Sequence, residues 1–189
     1  LEFTHKGNIA IERVRIALAV ALFSLLTAAG AFARLPLTPV PVTMQVMFVL
    51  LSGLVLGPVY GPLSQIAYIS GGIAGAPFFA AFPHSGPAVL LGPTGGYILG
   101  FVFASWITGY LSWKETTRLS KFTVIAAVFA GIAAIYCLGA AWLAQWLRLN
   151  NASPWRAFEL GVRPFLAVDA LKGLLAVAFA KFLTFRVSR

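Results

Sequence analysis

Asp169 and Lys172 are the only charged residues set deep within an apolar run of this 189-residue sequence. Spaced i and i+3, they share one face of a helix. Charged groups inside a membrane span are costly, usually turn toward the bundle interior and commonly serve function. The bland alternative is a structural ion pair that neutralises itself among the helices. Other chemistries lack their parts. Only one carboxylate lies deep in a span, and no nucleophile elbow suggests a Ser/His/Asp set, so no enzymatic activity is expected. His84 has no second His and no Cys nearby, which excludes a metal site there. No G-x-x-x-x-G-K-[ST] occurs, so ATP is not bound through a P-loop. The single Cys137 sits in an apolar run and reads as a small packing residue.

A second feature lies far from this pair in sequence. Gly71 to Tyr97 reads GGIAGAPFFAAFPHSGPAVLLGPTGGY and carries no Lys, Arg, Asp or Glu. Gly and Pro at this density make a poor helix interior, yet the run is too apolar for a solvated loop. Such backbone in a membrane protein must be buried in protein or line a cavity. The stretch is therefore expected to fold over a small-molecule pocket, with Gly71 to Phe79 ending one span, Ala80 to Leu91 forming an outer lid and Gly92 to Tyr97 launching the next span. Gln45, Phe79 and Tyr97 are the further candidates for that pocket, each of a type that also serves ordinary packing or interhelical hydrogen bonding. His84 reads as a solvated or lid residue.

The elements that position these residues follow from composition. The chain is 60% hydrophobic and 10% charged, against about a quarter charged for a soluble domain. It is expected to be an all-α integral membrane protein, one domain over 1–189, with room for about six spans of roughly 20 residues. These are expected at about 9–33, 42–56, 61–75, 92–111, 122–147 and 162–185. The first run ends Ala31-Phe32-Ala33, a pattern resembling a signal-peptide cleavage site. It is long enough to span and further spans follow, so it reads as a retained helix, with Ala17 and Ala21 as a small-xxx-small pair that lets another helix approach.

Between the first two spans, Pro36, Pro39 and Pro41 predict an extended, stiff segment. Gly57-Pro58 and Gly61-Pro62 predict a tight turn between two short helices, a pattern that marks binding sites in transporters. With the N-terminus inside, nine basic residues fall on the cytoplasmic side: Lys6, Arg13, Arg15, Lys114, Arg118, Lys121, Lys181, Arg186 and Arg189. Four fall outside, at Arg34, Arg148, Arg156 and Arg163. The positive-inside rule then places both termini in the cytoplasm. The net charge of +9 thus reflects membrane anchoring; no basic stripe interleaved with exposed aromatics points to nucleic acid. On this topology, the Pro-rich segment and the Gly75 to Gly92 stretch lie outside. Asp169 and Lys172 lie roughly 9 to 14 Å inward from Arg163, at 1.5 Å per residue.

Four motifs in order, Pro41-Val-Thr43-x-Gln45, Gly71-Gly72-x-x-Gly75-x-Pro77-x-Phe79, Gly92-Pro-Thr94-Gly-Gly-Tyr97 and Pro164-Phe165-x-x-x-Asp169-x-x-Lys172, resemble the BioY family. Its members are the biotin-specific, substrate-binding S components of energy-coupling factor transporters. The resemblance covers about residues 10 to 185. It implies a six-helix S-component bundle in a bacterial-type cell membrane, with biotin held near the outer face under the first and third loops. It also implies a transmembrane coupling subunit that meets the Ala-rich first helix at Ala17 and Ala21, and a pair of cytoplasmic ATPases that supply energy. No cofactor is implied; biotin is the transported ligand. Members commonly carry a glycine-rich or Asn-containing run where this chain has Ala80-Ala81-Phe82-Pro83-His84-Ser85, so no polar contact is transferred to that loop.

Biotin's chemistry suits these residues. Asp169 can accept ureido N–H bonds, and Lys172 can meet either the ureido carbonyl or the tail carboxylate. Gln45 and Thr43 are loop-side polar candidates, Thr94 of the third motif is a further candidate contact, and Phe79 and Tyr97 are candidate walls for the rings. Two other readings are a self-sufficient secondary transporter or channel, for a vitamin or other small carboxylate, and a related vitamin as ligand within the same fold.

Overall fold

The chain doubles back on itself at Gly57. In the computed structural model, which describes residues 2–113 and 121–183, Gly57 has φ 77 and ψ −169 within a helix otherwise running from Gln45 to Ile73 (α2). Gln45 Nε2 donates to Tyr68 Oη at 2.6 Å. In a straight helix those residues would lie roughly 35 Å apart, so the two limbs of α2 must run side by side. Positive φ suits glycine, and a Cβ on Gly57 would meet the Trp113 ring at 2.7 Å. The expected second turn signal, Gly61-Pro62, makes no break. Pro62 continues inside the helix, and Gly61 instead lets the limbs approach, a Cβ there lying 3.0 Å from Gly53 Cα on the first limb and 2.7 Å from Ser105 Oγ on α4.

The other helices are α1 (Glu2–Phe32), α3 (Ala88–Leu91), α4 (Gly95–Trp113), α5 (Lys121–Leu149), α6 (Arg156–Gly161) and α7 (Leu166–Phe182). Two short strands, β1 (Arg34–Leu35) and β2 (Val42–Thr43), pair antiparallel with Arg34 opposite Thr43. The Pro-rich segment is therefore not one extended piece. It turns between the strands and brings Met44 N back to Gly30 O at 3.1 Å. Lys114, Glu115, Arg118, Arg186, Arg189 and the last residues of the expected sixth span lie outside the described residues.

Small residues and short polar links hold the bundle. A Cβ on Gly109 would lie 2.6 Å from the backbone of Gly57, so α4 packs directly on the bend of α2. Ser52 and Ser105 share a hydrogen bond of 2.8 Å across the same seam. Gln65 Nε2 donates to Ser52 Oγ at 3.1 Å, and its carbonyl accepts from Thr27 on α1 at 3.3 Å. Close approach at small residues and interhelical hydrogen bonds are what membranes leave to drive association, since lipid tails are as apolar as the side chains.

Three helices, Ala10–Phe32, Gln45–Ile73 and Lys121–Leu149, are long and apolar enough to cross a membrane by length and composition. The second of these counts as one only along the sequence, because its limbs lie side by side. Leu18, Leu22 and Leu25 on α1, Phe103 and Trp106 on α4, and Leu171 and Phe179 on α7 are exposed, as lipid-facing side chains must be.

Candidate functional site

A mostly apolar cavity opens at the end of the bundle opposite the Gly57 bend. Its walls come from Val40, Pro41 and Thr43 on the strand loop, Gln45 and Val46 at the start of α2, and Ala80 and Ala81 on the irregular stretch before α3. Thr94 just before α4, Tyr97, Ile98 and Phe101 on α4, Ile135 and Tyr136 near the middle of α5, and Phe165 and Asp169 at the start of α7 complete it. These parts are gathered here because α1 joins α2 through the paired strands β1 and β2, the limbs of α2 are antiparallel, and Trp142 Nε1 on α5 donates to Gly92 O just before α4 at 2.9 Å.

The deep wall is charged and tightly held. Asp169 and Lys172 are 2% and 3% exposed, and Lys172 Nζ lies 2.7 Å from Asp169 Oδ1. The other carboxylate oxygen, Oδ2, accepts from Tyr136 Oη at 2.8 Å. Asp169 and Tyr136 line the cavity whereas Lys172 does not; the ammonium sits behind the carboxylate as its counter-charge. An ionised carboxylate offers about four acceptor positions, so two remain beyond these partners.

Nearer the loops the polar groups form a second set. Thr43 Oγ1 donates to Gln45 Oε1 at 3.2 Å, and the Gln45 amide N–H donates back to Thr43 Oγ1 at 3.3 Å. Tyr97 Oη donates to Gly161 O at 2.9 Å, fixing its ring against the turn into α7. Thr94 differs from all of these. Its hydroxyl is buried without a hydrogen-bond partner among the described residues, and it lines the cavity.

Thr43, Gln45, Thr94, Tyr97 and Asp169 thus meet around one space, while Lys172 and Phe79 do not reach it. Phe79 is buried under the lid, its ring edge-on to Tyr68 with centroids 5.7 Å apart, and Gly72 beneath it leaves no room for a Cβ. It shapes the support of the site rather than its wall. His84 belongs to the lid, where its Nδ1 lies 3.3 Å from Arg34 Nη1 and 3.1 Å from Phe79 O. Arg34 also donates to Ala80 O, tying the strand loop to the lid. Ala17 and Ala21 lie on the exposed face of α1, away from the cavity. Tyr136, Tyr68 and Arg34 are the participants that sequence reasoning missed. A tyrosine in an apolar helix gives no signal until its partner is seen, and Arg34 counted only as an outside charge.

An all-α membrane bundle with a mostly apolar cavity at one end, a few fixed polar groups and a buried ion pair behind them defines a membrane protein built to hold a small molecule. The chain belongs to the BioY family, whose profile matches residues 5–189. It is 43% identical over 162 residues to the "Probable biotin transporter BioY" of Pyrococcus horikoshii, covering 86% of this chain and 91% of that one. It is 38% identical over 159 residues to the "Biotin transporter BioY" of Thermotoga maritima, covering 84% and 89%. Its fold matches the crystal structure of the S-component for biotin from an ECF-type ABC transporter, with a TM-score of 0.79 at 26% identity over 90% of this chain and 91% of that one. The fold is therefore the S-component fold.

Proposed function

We propose that this chain binds biotin in the cavity at the end of its bundle and serves as the S component of an energy-coupling factor transporter. The observation that carries the reading is Thr94. A buried hydroxyl without a partner costs about 1–3 kcal/mol, and this one borders a cavity whose deep wall is the Asp169 carboxylate. A ureido group offers what both lack: N–H donors for the carboxylate and a carbonyl for the hydroxyl. Ile98, Phe101, Ile135 and Phe165 supply apolar walls for the fused rings. The tail carboxylate then points toward the mouth. An anion placed at the deep wall would face Asp169, and Lys172 is already engaged behind it.

α1, the two limbs of α2, α4, α5 and α7 supply six crossings, with both termini cytoplasmic. Arg13, Arg15, Lys121 and Lys181 lie toward the end away from the cavity and Arg34, Arg148, Arg156 and Arg163 toward the cavity end, four against four; the excess that the positive-inside rule calls for comes from Lys6, Lys114, Arg118, Arg186 and Arg189 in the sequence. The cavity accordingly opens to the outside of a bacterial-type inner membrane. A transmembrane coupling subunit docks on the exposed face of α1 at Ala17 and Ala21, and a pair of cytoplasmic ATPases powers release. The chain itself performs no covalent chemistry.

Purified protein in lipid nanodiscs, titrated with labelled biotin and challenged with other vitamins, tests the reading. About one biotin per chain, displaced by biotin alone, is the expected result; displacement by a different vitamin at lower concentration would overturn the ligand. Gradient-driven biotin uptake in liposomes holding only this chain would favour a self-sufficient secondary transporter instead.

A further inference from the structure

Tyr136 commits its only O–H proton to Asp169 Oδ2, at 2.8 Å, and both residues line the cavity. A phenol carries one donor and acceptor lone pairs. With that donor committed, both Tyr136 and Asp169 can only accept. Lys172, whose protons would otherwise offset this, is held on Oδ1 at 2.7 Å and does not line the cavity.

We infer that Tyr136 is a specificity-determining positioning residue, which fixes the Asp169 carboxylate and makes the deep wall an acceptor-only edge that selects an N–H donor. The inference rests on the biotin reading and deepens it. One ureido N–H lies against the Asp169–Tyr136 edge. The ring atom there must be a nitrogen bearing hydrogen; an oxygen in its place would set lone pairs against lone pairs. Thr94, whose hydroxyl has its donor uncommitted, lies elsewhere on the wall and serves the carbonyl. Without the Tyr136 hydroxyl, Oδ2 loses its side-chain partner. The carboxylate is then free to turn both oxygens to Lys172, and the edge loses its fixed acceptors while the bundle keeps its shape.

The test uses biotin and its two cyclic carbamate isosteres, in which one or the other ureido N–H is replaced by ring oxygen. In the parent protein, one of the two isosteres should bind about a hundredfold more weakly than biotin, as expected when a hydrogen bond to a charged acceptor is lost. In Tyr136→Phe, biotin itself should weaken about tenfold and the penalty on that isostere should shrink to within about threefold. Equal weakening of biotin and both isosteres by Tyr136→Phe would show a merely structural role and overturn the inference. So would unchanged discrimination. The parent protein alone supplies a second check independent of how the variant folds: if it accepts both isosteres within about threefold of biotin, the deep wall reads no N–H. A parent protein that fails to bind biotin at all would instead reject the proposed ligand.

Discussion

The deep wall and the roof of the cavity are built on opposite principles. At the deep wall, Asp169, Lys172 and Tyr136 stand on two long helices, and each carboxylate oxygen has a side-chain partner at 2.7 or 2.8 Å. The roof is irregular backbone. It is closed by main-chain bonds such as Phe79 N to His84 O at 2.9 Å and Gly86 N to Gly72 O at 2.8 Å, and fastened to the strand loop by Arg34. Phe82 on the roof is 87% exposed, whereas the deep wall is sealed. Groups on rigid elements are held to the fixed geometry that selectivity requires, and loops with few buried contacts open at low cost. We propose that the deep wall sets what binds and the roof sets how fast it comes and goes.

Breaking the deep wall should have the largest effect. Asp169→Asn leaves Lys172 buried without a counter-charge, which costs about 3–5 kcal/mol, and it removes the charged acceptor, weakening biotin by about a hundredfold. Asp169→Leu with Lys172→Met replaces both charged groups by apolar ones. Thermal unfolding should return to near that of the parent, since a buried ion pair replaced by apolar groups is often neutral, while binding stays lost. Recovery of binding in the double variant would mean that the pair is structural only. Gln45→Ala should rank second. Gln45 bridges Tyr68 on the far limb of α2 and Thr43 on the strand loop, so it joins wall to roof, and equilibrium binding should weaken about tenfold.

The roof offers the sharper form of the comparison. Arg34→Ala removes the side-chain fastening between the strand loop and the lid while leaving every polar group of the deep wall in place. Dissociation of labelled biotin, followed by chase with unlabelled ligand, should quicken about threefold to tenfold, with association quickened as well and equilibrium affinity falling by less than either rate changes. A variant that loses affinity with no change in dissociation rate would place Arg34 in recognition rather than closure.

The same contrast decides what the sequence could reveal. Asp169 and Lys172 were legible because charge in an apolar run has few explanations. The bend is legible at Gly57-Pro58, but Gly61-Pro62 looks identical in sequence and lies inside a helix; what separates them is packing, Gly57 against Trp113 and Gly61 against Ser105 and Gly53. Thr43, Gln45, Thr94 and Tyr97 were recognised as a set through the BioY motifs rather than from their own types, and the cavity does gather them. Phe79 shows the limit of that route, since a motif position can support a site from beneath, as it does against Tyr68. Tyr136 and Arg34 were illegible for a different reason. Their roles are relations to Asp169 and to the lid, set by long-range packing that no local pattern encodes.

Substitution on α1 should have the smallest effect on binding and separates both regions from the remainder of the molecule. Ala17 and Ala21 face outward among Leu18, Leu22 and Leu25, and α1 packs chiefly on α2. One polar link runs from Thr27 to Gln65, a single turn from the Tyr68 that holds Gln45. Neither alanine takes part in it, so Ala17→Leu with Ala21→Leu should leave biotin affinity in nanodiscs within about twofold of the parent. Uptake by the assembled transporter should fall sharply, because the larger side chains keep a partner helix from close approach. A loss of affinity in the isolated chain would mean that the outer face of α1 reaches the cavity through α2. The division into a selecting wall and a gating roof would then have to include a third, membrane-facing part.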